Sequence, residues 1–352
     1  MFPYTLYLYA SDMDSISHLV LGACIGEVMC GRKMGKKAML WGALAANLPD
    51  ADVFFMSCYH PVDALFVHRG ISHSFLFVFL ATLLLGWGFN HFDRKKSATT
   101  KDWILLFFVG LLSHPLLDSC TMYGTGIFEP FSHYRAQFTS LFIVEPLYTL
   151  PLLIAFIALL ILKKDAVKRK FWAVFGLSLS TIYLCFAICN KIYVGKIFTD
   201  SLKKQNIYFE DYYTSPTPLN NILWNVFAKD TKGYWVGFYS HFDRSKDIRF
   251  SFIPRNDSLA GDLLQNEAVQ KLIRFSQGYY CFTLCNDELR FNDLRFAFSG
   301  DFTCDADKKN FVFSFALKKD KNSPYGVEIK RNSWGNTRFM GFSKLIERIK
   351  GI

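Results

Sequence analysis

Long stretches without a charged residue dominate the first half of this chain, and polar residues gather at their ends. A membrane-spanning helix needs roughly 20 mostly apolar residues. Four runs approach that length once their flanks are included: residues 74–90, 103–117, 146–162 and 171–190. Two shorter apolar segments, residues 17–30 and 38–48, are rich in Gly and Ala, which is typical of closely packed helices. The pattern predicts an α-helical membrane bundle of about four to six helices, some of them short, over residues 1–190.

Beyond residue 190 the pattern changes to short runs rich in aromatic and β-branched residues. The runs that predict strands are residues 234–239, 248–253, 278–284, 289–298, 311–317 and 325–329. Turn-forming pairs such as Asn256-Asp257 and Asn286-Asp287 separate them. Residues 263–276 predict a helix in which Glu267 and Lys271 pair across one turn. We therefore expect a second, antiparallel β-rich α+β domain over residues 191–352.

The composition agrees with a membrane protein rather than a disordered chain or an ordinary soluble enzyme. Hydrophobic residues make up 51% of the 352 residues, charged residues only 20%, and Phe occurs 37 times. The formal net charge of +10 would suggest nucleic acid if the basic residues formed one surface. Their distribution along the chain does not favour that function.

Many of the basic residues of the first half lie in three short loops between apolar segments. These loops are residues 32–37, 94–101 and 163–170, and the positive-inside rule assigns them to the cytoplasm. The opposite loops, residues 50–72 and 119–144, carry only Arg69 and Arg135 as basic residues. The second domain follows on that opposite side. We expect a multi-pass protein with its polar clusters and its second domain outside the cytoplasm, and no nucleic-acid partner.

Imidazole and carboxylate side chains mark the outer ends of the predicted helices. Ionisable groups near membrane helices are costly and tend to face partners in the bundle. The candidate metal ligands are His18, Asp50, Asp52, His68, His73, His114, Asp118 and Glu145. His114 and Asp118 share one helix face if the helix continues through Pro115. Such a set suits a divalent metal, expected to be Zn²⁺, as one ion or as two or three that share a bridging carboxylate.

Several of these residues fall in ordered motifs that resemble the YdjM-like bacterial membrane-bound metal-dependent hydrolases. The motifs are Met13-Asp14-Ser15-Ile16-Ser17-His18, Asn47-Leu48-Pro49-Asp50-Ala51-Asp52, His68-Arg69-Gly70-Ile71-Ser72-His73-Ser74 and Ser113-His114-Pro115-Leu116-Leu117-Asp118. The resemblance covers roughly residues 13–190 and implies a location in the bacterial inner membrane. Members often have Asp where this chain has Glu145. The order of the ligands is also distantly similar to the zinc-dependent phospholipase C and nuclease superfamily, which implies phosphoester chemistry.

The residues and the resemblance together predict an integral-membrane metal-dependent hydrolase of a phosphoester bond in a lipid or lipid-linked substrate. Asp50 or Asp52 would bridge metals or act as general base, and Arg69 would bind phosphate through its bidentate guanidinium. The membrane lipid would be the substrate. Two alternatives remain at this point: a metallohydrolase of an ester or amide bond, and a non-catalytic metal transporter or sensor.

Overall fold

The structure is a computed structural model that describes residues 14–93, 97–163, 167–285, 287–299, 310–331 and 337–352. The described chain forms two compact units. The first unit comprises the described residues up to Cys58 together with Val67–Ile188, and the second comprises Tyr59–Phe66 and Cys189–Ile352. Residues 94–96 and 164 of the predicted basic loops, residue 13 of the first motif and Asn286 of one predicted turn lie outside the described residues.

Helices build the first unit, as the apolar runs predicted. They are α1 (Ser15–Met34), α2 (Lys36–Asn47), α3 (Val53–Met56), α5 (Phe75–Phe92), α6 (Thr100–Asp118), α7 (Pro146–Ile161) and the start of α8 (Lys168–Lys204). The helix α4 (Pro61–Val67) lies between α3 and α5 in the chain. Two short 3-10 turns, Pro49–Asp52 and Ile71–His73, precede α3 and α5.

Local sequence signals explain where these helices begin. The Asp14 carboxylate accepts a hydrogen bond from the Ser17 amide at the start of α1, and the Ser74 hydroxyl does the same for the Phe77 amide at the start of α5. Thr99 and Asp102 form a reciprocal capping box at the start of α6. These caps fix the ends of the helices that carry the polar clusters.

Three of the helices, α5, α6 and α8, are long and apolar enough to cross a membrane. The remaining apolar run, residues 146–162, forms α7, which is shorter at 16 residues. The outer surface of α5 exposes large apolar side chains, among them Phe79, Leu84 and Trp87. Exposed apolar surface of this extent suits contact with lipid.

Small residues let α1 and α2 pack with their backbones in close contact. A Cβ atom at Gly22 would lie 2.3 Å from the carbonyl oxygen of Gly42, and one at Gly26 would lie 2.0 Å from that of Ala38. Gly35 makes the turn between the two helices with a φ of 59°. Helix α1 also packs against α6 and α7, and α5 packs against α6.

Helix α8 continues well past the apolar run that ends at residue 190. It has 37 residues, which is about 55 Å at the rise of an α-helix. Its last turns are amphipathic, because Val194, Ile197 and Phe198 pack with Trp224 and Val226 in the core of the second unit. This segment also contains charged residues, so its hydropathy did not indicate that the helix continues.

Two four-stranded antiparallel sheets form most of the second unit, in agreement with the predicted β-rich domain. Their strand orders are β1-β2-β3-β4 and β5-β6-β7-β8. The strands are β1 (Asp211–Pro216), β2 (Leu223–Lys229), β3 (Gly233–Ser240), β4 (Phe250–Pro254), β5 (Tyr280–Cys285), β6 (Glu288–Ser299), β7 (Asn310–Lys319) and β8 (Val327–Arg331). The predicted runs correspond to β3–β8, and the sequence pattern did not indicate β1 or β2.

Helices complete the second unit. They are α9 (Asp257–Ala260), α10 (Glu267–Phe275) and α11 (Thr337–Ile349). The predicted helix over residues 263–276 is α10, preceded by a 3-10 turn at Gly261–Gln265. Glu267 and Lys271 form the expected ion pair, with 2.9 Å between the charged atoms. The sequence pattern did not indicate α11.

Candidate metal centre

The ends of several helices and turns bring the predicted polar residues of the first unit together. His18 lies in the first turn of α1, and the 3-10 turn after α2 carries Asp50 and Asp52. Helix α6 stays helical through Pro115, so His114 and Asp118 share one face, as their spacing predicted. The segment before α5 contributes His68, Arg69 and His73. All these residues except Asp50 are buried, and the Asp50 side chain is only 10% exposed.

One group of four residues, Asp50, His73, His114 and Asp118, has its ligand atoms within 4.8 Å of one another. The Nε2 atom of His114 lies 3.0 Å from Nε2 of His73, 3.3 Å from Asp50 Oδ1 and 3.4 Å from Asp118 Oδ2. Zinc bonds of about 2.0–2.2 Å place neighbouring tetrahedral ligand atoms about 3.3–3.6 Å apart. The spacing of this four-residue group therefore fits one metal ion.

The ring orientations also suit a metal. The Nδ1 atom of His114 donates to the carbonyl oxygen of Ala46, which can only accept. In the neutral imidazole this leaves a lone pair on Nε2, aimed at the carboxylates of Asp50 and Asp118. Lone pairs and carboxylate oxygens repel each other unless a cation or proton lies between them. The donor set thus has the character of a metal site with its outer hydrogen bonds in place.

Asp52 lies one layer behind the four-residue group. Its Oδ1 atom accepts from Nδ1 of His68 at 3.0 Å, and its Oδ2 atom accepts from the Ser72 hydroxyl at 2.7 Å and from the Arg69 amide at 3.1 Å. Nδ1 of His73 is 3.4 Å from the same Oδ2 atom. Asp52 therefore orients both histidines, as outer-shell carboxylates do in many metal sites.

A second group of three residues, Asp50, Asp52 and His68, also has ligand atoms within 4.8 Å of one another. Asp50 belongs to both groups, so it is placed to bridge two ions. The Nε2 atom of His68 is buried and has no hydrogen-bond partner within the described part of the chain. An unpartnered buried imidazole nitrogen is a free ligand atom or proton acceptor.

Asp118 connects the four-residue group to two further predicted residues. Nε2 of His18 is 3.2 Å from Asp118 Oδ1, and the His18 ring stacks on that of His114 with centroids 3.8 Å apart. Nε of Arg69 is 3.1 Å from Asp118 Oδ2, and its Nη1 atom donates to the Thr121 hydroxyl. Arg69 adopts a φ of 58°, uncommon for a non-glycine residue.

Both aspartates of the 3-10 turn favour the charged form. Burial acts to raise the pKa of Asp50, but His114 in its protonated form and a hydrogen bond from His73 lower that pKa well below its ordinary value. Burial likewise acts to raise the pKa of Asp52, and the hydrogen bond from His68 together with the imidazole of His73 lowers it. Two anionic carboxylates at neutral pH are suited to a divalent cation.

Glu145 lies in neither of these ligand groups. Its Oε1 atom accepts a hydrogen bond from the hydroxyl of Tyr183 at 2.9 Å. Burial raises the pKa of its carboxyl to about 7, although the hydrogen bond from Tyr183 lowers it. The protonated form is thus accessible near neutral pH. The structure brings together seven of the eight predicted ligands, whereas Glu145 is hydrogen-bonded to Tyr183 instead.

Some residues that shape the site carried no assignment from the sequence. The Ala46 carbonyl and the Ser72 hydroxyl orient His114 and Asp52. Arg135 donates to the carbonyl oxygens of His68 and Gly124. The sequence could have indicated two of these residues, because Ser72 lies inside a recognised motif and Arg135 is one of two basic residues in the loops 50–72 and 119–144. The role of the Ala46 carbonyl cannot be read from the sequence, because every residue has a backbone carbonyl.

Together, the candidate spans and the buried Asp/His cluster define a membrane protein with a candidate metal centre. The family model of the YdjM inner membrane protein matches residues 13–194. This chain therefore belongs to the YdjM inner membrane protein family, which confirms the predicted family. The match ends within α8, before the first strand of the second unit.

A curated relative agrees with this assignment. The inner membrane protein YbcI of Escherichia coli (strain K12) is 34% identical to this chain over 112 residues. The aligned region is 32% of this chain and 63% of the relative, so the chain spans less than two thirds of that protein. No solved structure matches the chain.

Proposed function

We propose that this protein is a multi-pass inner membrane hydrolase that uses a divalent metal, most readily Zn²⁺, to cleave a phosphoester bond in a lipid or lipid-linked substrate. The observation that carries this proposal is the convergence of two imidazole Nε2 atoms and two carboxylates in the four-residue group. Imidazole and carboxylate ligands are those of hydrolytic zinc sites. The choice of a phosphoester rests on the sequence alone, where the order of the His and Asp candidates resembles that of the zinc-dependent phospholipases C.

In this proposal Asp50, His73, His114 and Asp118 would hold the first ion, and Asp50 could be shared with a second ion held by Asp52 and His68. A bound divalent ion supplies Lewis acidity, which lowers the pKa of water and polarises a phosphoryl oxygen. Asp52 positions the two histidines, and His18 supports Asp118. The buried Nε2 atom of His68 would be available to bind that second ion or to take up a proton.

Arg69 is the proposed phosphate-binding residue. Its Nε and Nη1 atoms face Asp118 and Thr121, which leaves Nη2 for an oxygen of the substrate. The ring of Tyr123 lies 5.0 Å from the guanidinium carbon and holds the plane of this group. A guanidinium fixed in this way binds a phosphate with little loss of side-chain entropy.

The position of the site along the candidate spans favours a substrate that resides in the bilayer. Helix α5 begins two residues after His73, and α6 ends at Asp118. Phe54, Phe55 and Ile71, which neighbour the site in sequence, are each at least 60% exposed. Apolar side chains exposed at the end of a span suit acyl chains. We place this face and the second unit on the periplasmic side, following the basic loops.

The test is a metal and substrate assay on the detergent-purified protein. We expect at least one equivalent of zinc or another divalent ion, lost in His114→Ala, and metal-dependent release of phosphate or a phosphorylated headgroup from mixed phospholipid vesicles. Arg69→Lys should retain metal and lose most of the hydrolysis. Metal binding without phosphoester cleavage, but with cleavage of esters or amides, would contradict the proposed substrate class. Binding without any hydrolysis would favour a sensor or transporter.

A further inference from the structure

A short segment of the chain leaves the first unit between two residues of the metal centre. Residues 59–66 belong to the second unit, whereas Asp52 before them and His68 after them belong to the first. Most of this segment forms α4. The chain between Asp52 and His68 therefore includes a helix whose packing contacts belong to the second unit.

A charged and hydroxylated cluster holds the middle of α4. The Nζ atom of Lys271 lies 2.8 Å from Oδ1 of Asp63, and the hydroxyl of Tyr325 donates to Oδ2 of Asp63 at 2.7 Å. Lys271 also donates to the Tyr325 hydroxyl. These three side chains come from α4, α10 and the turn before β8, and each contacts the other two.

Aromatic contacts hold the two ends of the segment. The His60 ring packs edge-on against Tyr325 with centroids 5.0 Å apart. Phe66 packs against Phe275, and the guanidinium of Arg274 lies 4.3 Å over the Phe66 ring. His60, Asp63 and Phe66 are spaced three residues apart, as residues on one side of a helix are.

The end held by Phe66 is only two residues from His68. His68 in turn bonds Asp52, and the amide of Arg69 bonds the same carboxylate. Helix α4 ends at Val67, the residue directly before His68, so a shift of α4 is expected to reach the backbone at His68 and Arg69.

We propose that Lys271 and Tyr325 of the second unit are positioning residues for the metal centre, acting through Asp63 and α4. This inference rests on the proposed metal function. The second unit then has a defined role, because it fixes the segment that joins two parts of the site. A ligand or partner that loosened α10 would weaken metal retention.

The experiment compares full-length variants loaded with Co²⁺ as a spectroscopic probe. Lys271→Glu places a carboxylate against Asp63 and Glu267. We expect an altered cobalt d–d absorption band and release of cobalt to a chelator up to about fivefold faster, the scale of a partly exposed ion pair of up to about 1 kcal/mol. Lys271→Arg should behave as wild type, and the exchanged pair Asp63→Lys/Lys271→Asp should recover much of the retention.

The control is Lys204→Glu, which makes the same charge change in an exposed ion pair with Asp247. It should leave the cobalt band and the release rate unchanged. A lowered unfolding temperature in Lys271→Glu with an unchanged band and release rate would overturn the positioning role and leave a structural one.

Amide hydrogen exchange gives a readout that needs no metal. Lys271→Glu should exchange faster than wild type at residues 67–73, and Lys204→Glu should not. Failure of the wild type to bind cobalt would remove the proposed function and the metal-positioning role with it. Equal exchange at residues 67–73 in Lys271→Glu and wild type would instead overturn the mechanical link itself.

Discussion

His73 presents its two ring nitrogens to different layers of the candidate metal centre. Its Nε2 atom faces His114, Asp50 and Asp118, and its Nδ1 atom faces the Ser72 hydroxyl and Asp52. Asp50 and Asp52 are two residues apart in one 3-10 turn, yet this geometry separates their roles. Around the first ion, Asp50 has the position of a direct ligand and Asp52 has that of an orienting carboxylate.

The separate positions of Asp50 and Asp52 predict different losses of metal. Asp50→Asn should abolish stoichiometric binding, because Asp50 belongs to both ligand groups. Asp52→Asn should weaken affinity by about 10–100-fold but still fill at high metal concentration, as outer-layer substitutions do. Titration calorimetry with Zn²⁺ measures both. Equal losses in the two variants would contradict the assignment and make Asp52 a ligand of equal rank.

Burial of Glu145 predicts that the unfolding temperature of the protein depends on pH. Its pKa of about 7 lies above the ordinary value of 4.5, so its stabilising effect is complete below about pH 4.5 and is lost as pH rises through about 7. Glu145→Gln mimics the protonated form and should flatten the fall in unfolding temperature between pH 5 and pH 8. The control is Glu210→Gln, at an exposed carboxylate, which should follow wild type.

The same Glu145→Gln protein should keep its full metal content, since Glu145 lies outside both ligand groups. Elemental analysis of the purified variant decides this. Loss of metal would restore Glu145 to the ligand set that its place before Pro146 first suggested.

Among the elements of the first unit, the close contact of α1 with α2 sets the distance between His18 and the turn that carries Asp50. Gly22, Gly26 and Gly42 permit this contact because they have no Cβ atom. The carbonyl of Ala46, near the end of α2, then reaches His114 on α6. Helix packing remote from the ligands thus fixes the orientation of one of them.

Gly26→Leu should force α1 and α2 apart, because its Cβ would lie 2.0 Å from the carbonyl oxygen of Ala38. We expect a loss of about 1–3 kcal/mol of stability, typical of overpacking, and a lower metal content. Thermal unfolding in detergent and elemental analysis provide the measurements. Gly88→Leu is the control, since a Cβ there meets nothing within 4 Å. Equal behaviour of the two variants would show that the α1–α2 contact does not support the site.

Across the molecule as a whole, the distribution of basic residues predicts an orientation in the membrane. Many basic residues of the first half lie at or beside three helix junctions, those of α1 with α2, α5 with α6 and α7 with α8. The ligand groups lie at the other ends of these helices. By the positive-inside rule we propose that the candidate metal centre and the second unit face the periplasm.

Cysteine labelling tests this orientation. Ser97, between α5 and α6, and Ser245, in the second unit, are both exposed. In intact spheroplasts, a membrane-impermeant maleimide should label Ser245→Cys, and it should label Ser97→Cys only after permeabilisation, as read from labelled peptides by mass spectrometry. The opposite pattern would reverse the orientation. It would place the candidate metal centre at the cytoplasmic face.

Local sequence was sufficient to predict the helical bundle, the β-rich second half, the family and most of the ligand candidates. Uncharged runs favour helices in a membrane, alternating aromatic runs favour strands, and His and Asp at helix ends stand out against apolar neighbours. The strands β1 and β2 and the extension of α8 to Lys204 were not predicted. Their apolar faces become apparent only where Val194 and Phe198 meet Trp224 and Val226.

Which candidates meet depends instead on tertiary packing. This packing gives Asp50 and Asp52 different neighbours and brings Glu145 to Tyr183. It also brings the Ala46 carbonyl to His114 and makes residues 59–66 part of the second unit. The physical reason is distance along the chain. His18 and Asp118 are 100 residues apart, and a contact at 3.2 Å between them depends on how whole helices pack. Residue type and spacing describe what a side chain is able to bind, whereas helix packing determines what it reaches.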